Sequence, residues 1–227
     1  MEPLYWLELL RNSSPLIMMG LSMTIQVFLV AASISFSVGL FFGILCCEEL
    51  KIPYLSSFIQ FITFILRAVP FYIQLLVVYF VFPDIIRINL DIFPASVIAL
   101  GACSSGYICQ IGRCGINAIP IAQWEAAYVL GYSKIQTLFY VIFPQMLRNI
   151  LPALNNELES ILKSTSILSS IGMMELTRIG MNIVSREMQY PLTIYSIIAS
   201  FYVLLSVIIN FFAKRLEKKM LLKVRAQ

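Results

Sequence analysis

Long apolar runs separated by short polar stretches leave this chain few folds to choose from. A membrane-crossing helix needs about 20 mainly apolar residues, and in lipid the backbone must satisfy its own hydrogen bonds, which admits only helices and closed barrels. Runs at about 16–46, 54–82, 94–112, 148–171 and 191–213 have helical length. They predict an all-α integral membrane protein: one domain over 1–227 with five transmembrane helices. Composition agrees, with 59% of residues hydrophobic and 12% charged, far from a soluble domain. The N-terminal segment carries Glu2 and Glu8 and lacks a basic region, so it is expected to stay on the chain rather than act as a cleaved signal.

Several chemistries drop out early. The chain has no histidine, which removes the usual general base and the commonest metal ligand. No GxxxxGK[ST] phosphate loop is present, so any nucleotide must be handled by another chain. Cys46, Cys47, Cys103, Cys109 and Cys114 show neither metal-ligand nor disulfide spacing and read as small buried hydrophobes.

Polar residues inside apolar runs mark where spans meet protein or water. Ser35, Gly39 and Gly43 recur four apart in the first span, as do Gly101, Ser105 and Cys109 in the third, a spacing that lets helices approach closely. Arg67 falls inside the second span, where it must snorkel, face a polar cavity or lie near the interface. In the fourth, Asn149, Pro152, Asn156, Glu159, Lys163, Ser166 and Ser170 follow three- and four-residue steps, which draws one polar stripe along a helix. Such a stripe either holds helices together or lines a watery path, and Glu159 precedes Lys163 in the favourable order for an ion pair. The segment 172–189, with Glu175, Arg178, Arg186 and Glu187, is expected to be a short helix and loop at one membrane face.

Between the third and fourth spans lies EAAYVLGYSKIQTLFYVIFP, Glu125–Pro144. Residues 121–130 predict a short helix, Gly131 a left-handed turn position, and Ser133 with Gln136 a capping box that starts a second helix. Small side chains at Ala126 and Ala127 would let another surface approach. The element is a docking device or an amphipathic connector.

The triplet Glu125, Ala126, Ala127 with Gly131 four residues on and Phe143–Pro144 downstream resembles the cytoplasmic EAA loop of ABC importer permease subunits. Three further stretches resemble the polar amino-acid branch of that family: RAVPFYIQ (Arg67, Pro70, Gln74), GYICQIGRCGI, and PALNNELESILKSTS (Pro152, Asn156, Glu157, Lys163, Thr165, Ser166). Gln110 stands where the family carries an acidic residue, and Ser164 where an Asp is usual. The resemblance implies the type I importer permease fold, with a coupling helix in a cytoplasmic loop at about 113–147 and a basic cytoplasmic tail at 214–227. It implies that Glu125, Ala126, Ala127 and Gly131 dock the ATPase. The solute path implied runs past Gln110, Asn156, Glu159, Lys163, Thr165, Ser166, Arg67 and Gln74.

The partners implied are a cytoplasmic ABC ATPase that carries ATP and magnesium, an extracytoplasmic binding protein, and a second permease subunit, identical or not. No cofactor, metal, catalytic residue or nucleic-acid partner is expected in this chain. Five spans with the basic tail inside put the N-terminus outside and the loop in the cytoplasm of a bacterial inner membrane. The function expected is the permease subunit of an ATP-driven importer of polar amino acids, glutamine-like ones foremost. The alternative is a carrier or channel driven by an ion gradient.

Overall fold

The structure, a computed structural model, describes residues 2–186 and 190–225, with side chains over 11–186 and 190–220. Glu187, the side chains of Glu2 and Glu8, and those of the tail beyond Met220 lie outside the described residues. All regular structure described is helical: α1 Glu2–Leu45, α2 Leu55–Ala68, α3 Phe71–Leu76, α4 Phe82–Ile86, α5 Ile92–Asn117, α6 Ile121–Val129, α7 Lys134–Thr137, α8 Phe143–Ser164, α9 Leu176–Arg186 and α10 Pro191–Arg225. Among the described residues, three helices are long and apolar enough to cross a membrane, and a fourth counts if α2 and the helices after it form one broken span. The polar helix α8 is not among them.

The differences from the expected spans have local causes. Helix α1 begins well before residue 16 and runs through Pro15. A proline frees the carbonyl of residue i−4, here Arg11, and the Ser14 hydroxyl donates to that oxygen at 2.9 Å. The second span breaks at Val69 and Pro70. Val69 is extended, at φ −83° and ψ 131°, as the residue before a proline prefers. Arg67 therefore sits in the last turn of α2 and not deep in a continuous span. The fourth predicted helix winds as an α-helix only to Ser164, then tightens to a 3₁₀ segment, Thr165–Ile171, that ends on Gly172 at φ +88°. The basic tail continues α10 instead of leaving it, since its Lys, Arg, Leu, Glu and Met are good helix formers.

Two π-helical turns, Val77–Val81 and Leu138–Ile142, each precede a Phe-Pro pair. The proline ring clashes with the carbonyl four residues back, and the ladder widens to avoid it: Phe82 N–H bonds Val77 O, and Phe143 N–H bonds Leu138 O.

The chain divides into two compact units. The first comprises Met1–Ala31, Phe71–Leu100 and Ser160–Val207. Its core joins Ile17, Leu176, Ile179, Ile183, Ile194 and Ile198, and the Thr24 hydroxyl accepts from Leu176 N at 3.0 Å where α9 starts. Behind that start, Glu175 is fully buried. Its carboxylate accepts from Thr177 N at 2.8 Å, Arg178 N at 2.7 Å and the Tyr202 hydroxyl at 3.0 Å, which caps the helix.

The second unit comprises Ala32–Pro70, Gly101–Glu159 and Ile208–Gln227. Here the two small-residue stripes meet. Ser35 Oγ donates to Gly101 O at 3.2 Å. A Cβ on Gly39 would lie 2.7 Å from Ile108 Cβ and 2.8 Å from Ser105 O, and one on Gly43 would lie 2.9 Å from Cys109 O. The helices touch backbone to backbone. Cys46, Cys47, Cys103 and Cys109 are buried free thiols as expected, while Cys114 is exposed.

Candidate functional site

The loop between α5 and α8 folds as its residues direct. Helix α6 ends at Val129, Gly131 takes φ +85°, and Ser133 opens α7 with a complete capping box: Gln136 N donates to Ser133 Oγ at 3.3 Å and Ser133 N to Gln136 Oε1 at 2.9 Å. The turn is closed further by Tyr132 N donating to Ala127 O at 3.1 Å.

One face of α6 is built in. Trp124 and Ala127, one turn apart, are each 2% exposed. Trp124 joins a core with Ile108 and Ile116 of α5, Leu138 and Ile142 of the π-turn, and Met146 and Ile150 of α8. Close contact between α5 and α8 completes it, for a Cβ on Gly115 would run into Ile150. The loop and both flanking helices thus share one hydrophobic core, which makes the loop a rigid extension of them.

The opposite face of α6 is open. Glu125 and Ala126 are exposed, as are Val129 and Leu130 at 87% and 76%. Ala127 departs from expectation: its side chain packs inside its own chain, so the small residue brings α6 close to its own core and leaves no side chain for a partner. Beside α6 a cleft of about 120 Å³ is lined by Glu48, Glu49, Asn117, Ile119 and Trp124 among others. Lys134 Nζ donates to Glu49 O at 3.4 Å and ties α7 to the wall of that cleft.

The other predicted residues divide between the units, with Arg67, Gln110, Asn156 and Glu159 in the second and Gln74, Lys163, Thr165 and Ser166 in the first. Arg67 Nε donates to Thr63 O at 3.2 Å, and the Tyr107 hydroxyl donates to Arg67 O at 3.3 Å. Gln110 accepts from Arg113 Nη2 at 3.2 Å and gives its amide to Cys114 Sγ at 3.3 Å, while Arg113 Nη1 reaches Gln60 Oε1 at 3.4 Å. Gln74 is half-buried.

On α8 the stripe is partly open and partly packed. Asn149, Pro152, Asn156 and Lys163 are exposed along it. Glu159 is half-buried and takes a hydrogen bond from the Asn210 amide of α10, and Asn155 Nδ2 donates to Asn210 Oδ1 at 2.7 Å. Ser166 is half-buried with its hydroxyl on Lys163 O at 2.7 Å. Thr165 departs from expectation: fully buried, it donates to Leu162 O at 2.6 Å and lies 3.5 Å from the Tyr202 hydroxyl. It belongs to the packed interior beside the Glu175 cap and not to an open face.

Residues 35–222 match the family model described as "Binding-protein-dependent transport system inner membrane component". The chain is 34% identical over 211 residues to the arginine transport system permease protein ArtQ of Bacillus subtilis, covering 91% of this chain and 93% of that protein. It is 34% identical over 157 residues to the glutamine transport system permease protein GlnP of Escherichia coli, covering 69% and 71%. Among solved structures, a chain from the crystal structure of an amino acid ABC transporter with histidines is similar with a TM-score of 0.82 at 33% identity, covering 92% of this chain and 96% of that one.

Proposed function

This chain belongs to the family of binding-protein-dependent transport system inner membrane components, and we propose that it is the permease subunit of an ABC importer for polar amino acids, with uncharged amides such as glutamine its favoured solutes. It is a multi-pass, non-catalytic subunit of the inner membrane and works with an ATPase and a binding protein. The observation that carries the coupling role is the loop's two-faced build: Trp124 and Ala127 locked into a core shared with α5 and α8, and Glu125, Ala126, Val129 and Leu130 open on the other side. A displacement applied to the open face moves both flanking helices as one body. An ion-gradient carrier has no use for such a lever, and the family membership sets that alternative aside.

Five spans, a second permease subunit, an outside N-terminus and a cytoplasmic tail complete the reading. A polar stripe on a membrane helix has to be covered by protein or water, so the open residues of α8 support a path lined by Asn156 and Lys163 and closed by the second subunit. ATP and magnesium act on the ATPase. Closed ATPases drive the outward-open permease only to the extent that they bind it more tightly than the inward-open one. The preference for uncharged solutes draws support from Gln110, which takes the place of the family's carboxylate and is held by Arg113. The test is co-purification with the ATPase and binding protein, reconstitution, and solute-stimulated ATP hydrolysis across an amino-acid panel. Glutamine should stimulate most. Stimulation by arginine and not by glutamine would overturn the solute assignment.

A further inference from the structure

The end of α10 changes character within two residues. Ile208, Phe211 and Phe212 are exposed, at 42%, 49% and 64%, on a helix that buries few of its residues. Lys214, Arg215, Lys218 and Lys219 follow, all exposed. At 100° per residue these four cations fall within roughly 140° of the circumference. Phe211, one turn back, projects into the middle of the same arc, while Glu217 projects to the opposite side and is half-buried. One cationic face therefore continues the aromatic face directly.

We propose that this face, Lys214, Arg215, Lys218 and Lys219, is a binding surface for the headgroups of anionic phospholipids. Three observations point to lipid. First, the Arg215 guanidinium folds back over the Phe211 ring, 4.2 Å from its centroid, which holds the charge at the level of the last exposed aromatic residues, where headgroups lie. Second, Lys214 with Lys218 and Arg215 with Lys219 are like-charged pairs four apart. Such pairs weaken a helix until an anion bridges them, and phosphate oxygens take charge-assisted hydrogen bonds from both members. Third, the four cations span about 7.5 Å of helix axis, within one Debye length of a headgroup plane at physiological salt, about 8 Å.

The inference needs the chain in a membrane but no particular solute, and its test does not depend on transport. Assembled importer with the wild-type chain, and with the quadruple variant K214Q/R215Q/K218Q/K219Q, is placed in nanodiscs of mixed phosphatidylcholine and phosphatidylglycerol. Each is then extracted into mild detergent, and retained lipid is counted by native mass spectrometry. Wild type should retain phosphatidylglycerol over phosphatidylcholine by roughly fivefold relative to the bilayer, and the quadruple variant should fall to the bilayer ratio. The charge-preserving variant K214R/K218R/K219R should match wild type. Should the quadruple variant not assemble, wild type washed at high salt should lose the same enrichment. Equal phosphatidylglycerol in wild type and quadruple variant, or enrichment indifferent to salt, would overturn the proposal. Release of the ATPase by the quadruple variant with lipid unchanged would also overturn it, and would assign the face to that partner.

Discussion

Asn210 of α10 donates its amide to the Glu159 carboxylate of α8 and accepts from Asn155 at 2.7 Å, so one side chain on the last helix holds two polar side chains of the polar helix. Replacing it with leucine removes one hydrogen bond from the half-buried Glu159 carboxylate. Loss of a partner to a charged group costs about 1–3 kcal/mol, which in a chain of this size lowers the unfolding midpoint by about 2–4 °C per kcal/mol. Thermal unfolding of Asn210→Leu in detergent should show that drop, and adding Glu159→Gln should recover part of it. Strict additivity of the two would mean the residues are not coupled.

The facing stripes give a sharper steric test. A Cβ on Gly39 meets both Ile108 and the Ser105 carbonyl below 3 Å, and the backbone oxygen cannot rotate away. Gly39→Leu should force α1 and α5 apart and abolish monodisperse purification, whereas Ser33→Leu, on the exposed side of α1, should purify normally. Size-exclusion profiles of the two would decide it.

What the sequence made legible was mainly local. Ser133 and Gln136 are three apart, and so their capping box could be foreseen from spacing alone. Ser35–Gly39–Gly43 and Gly101–Ser105–Cys109 were each visible as stripes, but nothing along the chain said that they face each other. The inward turn of Ala127 had a signal: Trp124, bulky and one turn earlier, claims the buried face. The π-turns before Phe82–Pro83 and Phe143–Pro144 were not foreseen, because a proline in the sequence does not say how the helix before it will adjust. Asn210 went unremarked although it is the single amide in its span, because its partners lie over fifty residues away. The Glu175–Tyr202 contact carries no sequence pattern, and the burial of Thr165 follows from that cluster together with the 3₁₀ winding at 165–171.

Gly131 separates conformational from steric effects. Its φ of +85° disfavours any L-residue, yet a Cβ there meets nothing within 4 Å. Gly131→Val should therefore cost roughly 1–2 kcal/mol of backbone strain, and Gly131→Asn less, because asparagine tolerates the left-handed region. If the turn fixes the angle of α6 and α6 passes ATPase movement to the spans, Gly131→Val should lower solute-stimulated ATP hydrolysis severalfold with the ATPase still bound, and Gly131→Asn should sit near wild type. Equal activity in all three would remove the turn from the coupling mechanism.

The buried Glu175 makes the stability of its unit depend on pH. Burial pushes its carboxyl above the ordinary value of 4.5, and the amides of Thr177 and Arg178 with the Tyr202 hydroxyl pull it back without cancelling the rise. A carboxyl raised in the fold holds its proton better folded than unfolded. Its contribution is then fully present below the unfolded value and is lost as pH rises through the folded one. Glu175→Gln cannot titrate, and it keeps an oxygen for the α9 amides. The unfolding midpoint of wild type minus that of Glu175→Gln should fall steadily as pH is raised from about 4.5 towards neutrality. A difference that instead grows with pH would mean that the three donors outweigh burial and that Glu175 is a stabilising, ionised cap.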